Sequence, residues 1–446
     1  NLGECYILQS LSKIHMPARR RALREPLFAR QVFLRGRSFC AAGLFARPVL
    51  LRGPSYCCLT GTMKPNHISS EHLSTPTAAY VHVPFCHSRC PYCSFTVVAN
   101  RLDLVDRYVE AVTRELTTLG RPHAVNTIFI GGGTPTLLPQ EPMERLFEVI
   151  RRWLPLADDG EWSIEANPQD IDRDLCLLLR DQGINRISLG GQSFDTAKLK
   201  MLGRDHTGDQ LARSIDRASQ WFDEVSVDLI FGVPGEELHV WKSDLQAAIS
   251  RGVSHLSTYG LTYEKGAHYW SQLQKGQIVA VAEEVELEMY LYAIETLTQH
   301  GMNHYEVSNF AKPGSECLHN QTYWQGNAWL GFGPGAAAYV DGTRSVNHRS
   351  TLKYLQRMET GLSPVAESQT LDWSTRTREQ FIFGMRQLKG VDWSTLASSG
   401  EPESIEAIAN QIPKHITLGF IEWHDGHIRL TAKGLPISDS LWLDYW

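Results

Sequence analysis

From residue 78 onward the chain alternates short apolar runs with longer stretches in which apolar residues recur every three or four positions. The short runs at 78–83, 127–130, 162–165, 186–189, 225–231 and 255–259 are rich in β-branched and aromatic residues, and predict strands. The stretches at 104–116, 143–150, 175–179, 210–221, 245–249 and 283–297 carry the helical period. Six strand–helix repeats in one chain predict an α/β fold with a parallel sheet wrapped by helices, whose active site lies on the loops leaving the C-terminal strand ends. The last hundred residues differ. Helical runs at 378–388 and 405–412 precede two apolar-aromatic runs joined by Asp425-Gly426, a strong hairpin cue.

Composition narrows this picture. A chain of 446 residues suits a barrel of about 250 residues plus an appendage. With 42% hydrophobic and 21% charged residues the composition is ordinary for a globular protein. Sequence inspection finds no apolar run long enough for a membrane span, and the net charge of −6 argues against general nucleic-acid binding. The charge is uneven. Residues 1–70 hold eleven Lys or Arg and two acids, Glu4 and Glu25. We read 1–62 as a basic leader outside the fold, with Met63 as the working start and 63–77 as a linker. A mitochondrial transit peptide is the alternative, so the expected compartment is the cytoplasm, or the mitochondrial matrix on that alternative. Cys5, Cys40, Cys57 and Cys58 in the leader receive no role. Nine cysteines in the whole chain are too few for a disulfide-stapled secreted protein.

The tight cysteine cluster follows the first strand directly: Cys86-His-Ser-Arg-Cys90-Pro-Tyr92-Cys93. Three thiolates are an odd ligand set. Structural zinc wants four protein ligands, usually as two pairs. An iron–sulfur cluster held by three cysteines keeps one iron open. Other strand ends carry glycine and polar signals. Gly131-Gly132-Gly133-Thr134 follows the second strand, Glu165 ends the third, and Gly190-Gly191-Gln192 then Arg204 follow the fourth. Glycines allow close backbone approach to a ligand, though tight turns use them as well. A guanidinium can grip a carboxylate with two parallel bonds. Asp228 lies within an apolar run and needs a partner.

The C-x-x-x-C-x-Tyr-C spacing resembles the signature of radical S-adenosylmethionine (SAM) enzymes. The surrounding words are similar to the branch that holds oxygen-independent coproporphyrinogen III oxidase and the radical-SAM heme chaperones. The likeness covers 78–340 and, more loosely, the last hundred residues. It implies a partial, open (β/α)6 barrel over 78–310, a connecting segment at 311–340, and a helical, winged-helix-like domain at 341–446. It also implies a 4Fe-4S cluster on Cys86, Cys90 and Cys93, with exchangeable SAM at the open iron. Tyr80, Tyr92, Gly132, Gly133, Thr134, Glu165, Gln192, Arg204 and Asp228 fall on the family's SAM-contacting positions. His319-Asn320-x-x-Tyr323-Trp324 looks like the motif of the heme chaperones. His319 is therefore the candidate heme ligand, with Cys317 as an alternative thiolate; a satisfied structural histidine is the plain alternative. The implied partners are heme or a porphyrin, an electron-donor protein and an acceptor hemoprotein. The oxidase pattern has a further cysteine two residues past the third, where this sequence has Phe95 after Ser94. That difference favours the chaperone; the oxidase, which decarboxylates porphyrin propionates, is the alternative. Whether the chain catalyses a reaction stays open at this point.

Overall fold

The computed structural model describes residues 75–446. The expectations for the basic leader, and for most of the linker, lie outside the described residues. The six expected strands form, each covering its predicted place, and β3 starts six residues before its predicted run: β1 (Ala78–Val83), β2 (Val125–Gly132), β3 (Leu156–Ala166), β4 (Arg186–Gln192), β5 (Glu224–Phe231) and β6 (His255–Gly260). Each pairs parallel to the next. All six residues of β1 are buried, as expected for a strand covered on both faces. The connections carry α1 (Val105–Thr117), α2 (Gln140–Trp153), α3 (Arg173–Asp181), α4 (Thr196–Met201), α5 (Gly208–Ala218) and α6 (Leu238–Ser250). The apolar stripe of α1, including Tyr108, Val109, Val112 and Leu116, is buried against the sheet core. α5 starts with a capping box in which Thr207 and Gln210 satisfy each other's backbone N–H groups, fixing where the helix begins.

After α7 (His268–Gln274) and α8 (Glu283–Gln299), β7 (Asn303–Glu306) and β8 (Asn309–Ala311) add an antiparallel edge beside β6. The short helix α9 (Leu318–Trp324) follows. The chain then returns to the opposite side of the sheet. β9 (Trp329–Phe332) runs parallel to β1, and β10 (Ala337–Val340), β11 (Thr343–Asn347) and, after α10 (Thr351–Glu359), β12 (Val365–Thr370) continue antiparallel. The sheet order is β12-β11-β10-β9-β1-β2-β3-β4-β5-β6-β8-β7, so among the described residues the barrel is partial and open. This corrects the expected boundaries. The stretch 311–340 is not a mere connector, and the main sheet runs on to Thr370. Gly331, Gly333 and Gly335 break the apolar pattern of β9 and its exit, and β12 is largely exposed and polar, so neither strand showed a period.

The remaining residues build a second core around Phe381, Ile408, Ile412, Ile428 and Trp442. α11 (Trp373–Gly384), α12 (Trp393–Ser399) and α13 (Pro402–Thr417) precede the hairpin of β13 (Ile421–His424) and β14 (His427–Leu430). Asp425 and Gly426 both have positive φ, 47° and 79°, the backbone a two-residue type I′ turn demands.

Glu115 of α1 fastens the β9 side to the barrel. Its buried carboxylate accepts from Gly333 N at 2.8 Å, Asn347 Nδ2 at 2.6 Å and Tyr354 Oη at 2.5 Å. Three elements therefore share one acceptor. Replacing it by Leu strands three buried donors, each costing about 1–3 kcal/mol. Glu115→Leu is expected to lower unfolding stability by about 3 kcal/mol or more, read as a drop in the urea midpoint, with Glu115→Gln losing less.

Candidate functional site

The cysteine loop leaves β1 at Pro84. Residues 85–86 pair parallel with 98–99, which ties both ends of the loop together. Cys93 N donates to Cys90 O at 3.1 Å, closing a turn between those two cysteines. The loop is anchored from below by the exit of β2. Gly133 N donates to Val83 O and Thr134 N to Phe85 O, each at 2.7 Å. This contact explains part of the glycine run. A Cβ on Gly133 would sit 2.6 Å from Phe85 O, and one on Gly132, at φ 109°, would overlap the His82 ring. His82 is fixed in turn. Its Nε2 donates to Thr96 O at 2.7 Å, so Nδ1 accepts from Tyr80 Oη at 3.0 Å, and burial lowers its pKa to about 4. The ring is neutral.

One cavity opens at the C-terminal strand ends. Cys86, Cys90, Cys93, Tyr92, Gly132, Gly133, Thr134, Glu165, Gln192, Arg204 and Asp228 all line it. Eleven of the thirteen expected site residues thus meet at one place. Glu165 accepts from Gly132 N at 2.8 Å. Arg204 Nη2 donates to Asn167 Oδ1 at 2.6 Å and Gly190 O at 2.8 Å, while Nη1 lies 3.7 Å from Cys90 Sγ. Gln192 takes a left-handed backbone, φ 64°, costly for a residue with a Cβ. The turn after it is held by a buried network: Ser193 Oγ and Phe194 N donate to Asp244, and Lys198 Nζ donates to the same carboxylate at 2.9 Å. Such strain persists only where the surroundings hold it in place. Gln192 Oε1 and Arg204 Nε are buried and find no hydrogen-bond partner among the described residues.

The chemistry of this donor set fits an iron–sulfur cluster. The three thiols are free and half-buried on one loop. Burial pushes Cys86 up to about 11 and Cys93 up to about 12, and neighbouring sulfur charge adds to the rise. Such thiols become ligands when a cation shares the site. Among the described residues no three His, Cys, Asp or Glu side chains group as they would around a single ion.

Tyr80 and His319 do not line the cavity. Tyr80 lies behind it, hydrogen-bonded to His82 and stacked on Phe129. His319 is fully buried at the other end of β2. Its Nδ1 pairs with Thr127 Oγ1 and its Nε2 with Tyr323 Oη, both at 2.9 Å, and burial lowers its pKa to about 3. Thr127 and Gly132 lie five residues apart on one strand, about 16 Å. Cys317 is also buried; its thiol donates to Glu161 Oε1 at 3.3 Å, and burial holds its pKa far up. The sequence reading missed Asn167, which bridges Arg204 and Thr134, and His206, whose Nε2 donates to Gly191 O. Asn167 stands just past a strand end, and that position was its signal.

Asp228 is raised from an ordinary 3.8 to about 6, by burial first and then by the charge of Glu165. Between those values the folded chain binds more protons than the unfolded one, so stability falls as pH rises through that window. Asp228→Asn escapes this loss. The variant is expected to be more stable than wild type at pH 8 by about 1 kcal/mol, a discounted figure because water at the mouth screens the charge. The gain should vanish near pH 4, as read from urea midpoints across that range.

Comparison with known proteins agrees with this geometry. Residues 80–247 match the radical SAM superfamily model, and residues 371–437 match the HemN C-terminal domain. The chain is 34% identical to the Heme chaperone HemW of Bacillus subtilis, covering 82% of this chain and 97% of that protein. It is 37% identical to the mouse Radical S-adenosyl methionine domain-containing protein 1, mitochondrial, over 60% of this chain and 62% of that protein. In structure it is similar to the coproporphyrinogen III oxidase HemN of Escherichia coli, with TM-score 0.73 and 22% identity, covering 83% of this chain and 90% of that one. The chain belongs to the HemW-type heme chaperone family of radical SAM proteins.

Proposed function

We infer that this chain is a radical SAM-type heme chaperone, which binds heme and delivers it to an acceptor hemoprotein. The observation that carries the reading is Phe95. It lines the cavity at the position where the oxidase pattern has a further cysteine. The HemW relatives, similar along nearly their whole length, support it. Cys86, Cys90 and Cys93 would hold a 4Fe-4S cluster beside SAM, and the cluster would supply one-electron chemistry when bound. Glu165, Gln192, Arg204 and Asp228, with the backbone of Gly132, Gly133 and Thr134, position SAM. Tyr92 walls the cavity, and Tyr80 acts on the site through His82. The partner that such a cluster would need is an electron-donor protein. No helix among the described residues is long and apolar enough to cross a membrane. We place the chain in the cytoplasm, with the mitochondrial matrix as the alternative.

The test is anaerobic reconstitution of iron and sulfide, followed by heme, or by coproporphyrinogen III with SAM and a low-potential reductant. Heme retained at one per chain, with no vinyl product, is the expected result. Formation of protoporphyrinogen would establish the oxidase instead.

His319 is our candidate for the iron ligand, and its surroundings set a condition. Nε2 must exchange the Tyr323 hydroxyl for iron, so α9 has to yield first. Tyr323→Phe frees that nitrogen and is expected to tighten heme binding several-fold. His319→Ala should weaken it at least tenfold, with iron and sulfide content unchanged in both. Heme titrations giving wild-type affinity for both variants would remove His319 from the site.

A further inference from the structure

Arg204 has more to do than meet a cosubstrate. Its guanidinium is held in one orientation by two neutral oxygens, Asn167 Oδ1 and Gly190 O, both through Nη2. Asn167 is itself fixed, since its Nδ2 donates to Thr134 Oγ1 at 3.4 Å. A Cβ on Gly190 would crowd Gln192 Nε2 at 3.2 Å and touch Arg204 Nη2 at 3.4 Å. The result is a cation aimed through Nη1 at Cys90 Sγ, 3.7 Å away. That is an N–H···S contact to one of the three cluster ligands. The same Thr134 reaches a second ligand from the other side, its Oγ1 lying 3.8 Å from Cys86 Sγ. The chain Arg204–Asn167–Thr134 therefore bridges two cluster sulfurs and fixes one positive charge beside them.

Resting on the cluster reading above, we propose that Arg204 sets the reduction potential of the cluster through its charge and its N–H bond to the Cys90 sulfur. When a low-potential donor adds one electron, no bond forms or breaks and no proton moves. The negative charge at the site rises by one. A guanidinium at this distance in a partly desolvated site stabilises that added charge, as does a hydrogen bond to a ligand sulfur. Arg204 thus raises the potential and makes the electron easier to deliver. Asn167 is a positioning residue, acting through Arg204.

The experiment is an EPR-monitored redox titration of the full chain, reconstituted with iron and sulfide and free of SAM and heme. Arg204→Met is expected to shift the midpoint to a more negative potential. Arg204→Lys keeps the charge without the fork and should shift it less. Asn167→Ala loosens the guanidinium and should move the midpoint in the same direction, also by less. Iron and sulfide contents equal to wild type establish that each variant holds a whole cluster. Wild-type midpoints in Arg204→Met would overturn the proposal. Where that variant fails to keep its cluster, wild-type midpoints in both Arg204→Lys and Asn167→Ala do so. A wild-type chain that takes up no cluster would sink the cluster reading itself, a result distinct from an unshifted midpoint.

Discussion

The mouth of the barrel depends on one extension of sheet pairing. β1 and β2 run in register from Ala78 opposite Thr127 to Val83 opposite Gly132, and their hydrogen bonds continue past both strand ends. Gly133 N to Val83 O and Thr134 N to Phe85 O carry that pairing into the cysteine loop. The loop therefore inherits the rigidity of two buried strands, although it is a surface connection. Function on loops generally relies on such scaffolding. Here the scaffold is two backbone bonds, and a close approach that a Cβ on Gly133 would block.

What could be read in advance follows the same physics. Parallel strands buried on both faces appear as apolar runs, so β1 to β6 were legible, and the amphipathic helices between them were too. The cysteine spacing was legible because three thiols within eight residues on one loop stand out from the scattered cysteines of an ordinary core. β9 to β12 were not. β9 contains Gly331 and runs into Gly333, and β12 exposes most of its side chains, so neither carries the alternation a half-buried strand needs. Lys198 shows another limit. On a six-residue helix a lysine looks solvated, yet this one is buried against Asp244 and holds the turn that strains Gln192. No local pattern announces a partner 46 residues away.

The two informative motifs ended far apart for a reason visible in β2. Thr127, near its start, pairs with His319, while Gly132, at its end, supports the cysteine loop. Glu161 and Arg186 complete the lower attachment: Glu161 accepts from Arg186 Nε and from the backbone N–H groups of Leu318 and His319. A buried pair of this kind is costly unless its remaining groups are bonded, and the start of α9 supplies donors to Glu161, while Arg186 Nη1 finds no hydrogen-bond partner among the described residues. Helix α9 is thus docked on the side of the barrel opposite the cavity, and spacing along the chain carried no hint of that.

At the mouth itself the balance of charge is the deciding feature. Three thiols and the carboxylates of Glu165 and Asp228 share the lining with Arg204, while Arg89 stays exposed at the rim. His206 adds no charge, since burial and the neighbouring guanidinium lower its pKa to about 4. The raised pKa values of Cys86, Cys93 and Asp228 share a first cause, burial, to which neighbouring negative groups add. Each of these groups would ionise more readily beside a bound cation. Occupancy by a cation and ionisation of this lining are therefore coupled, each favouring the other.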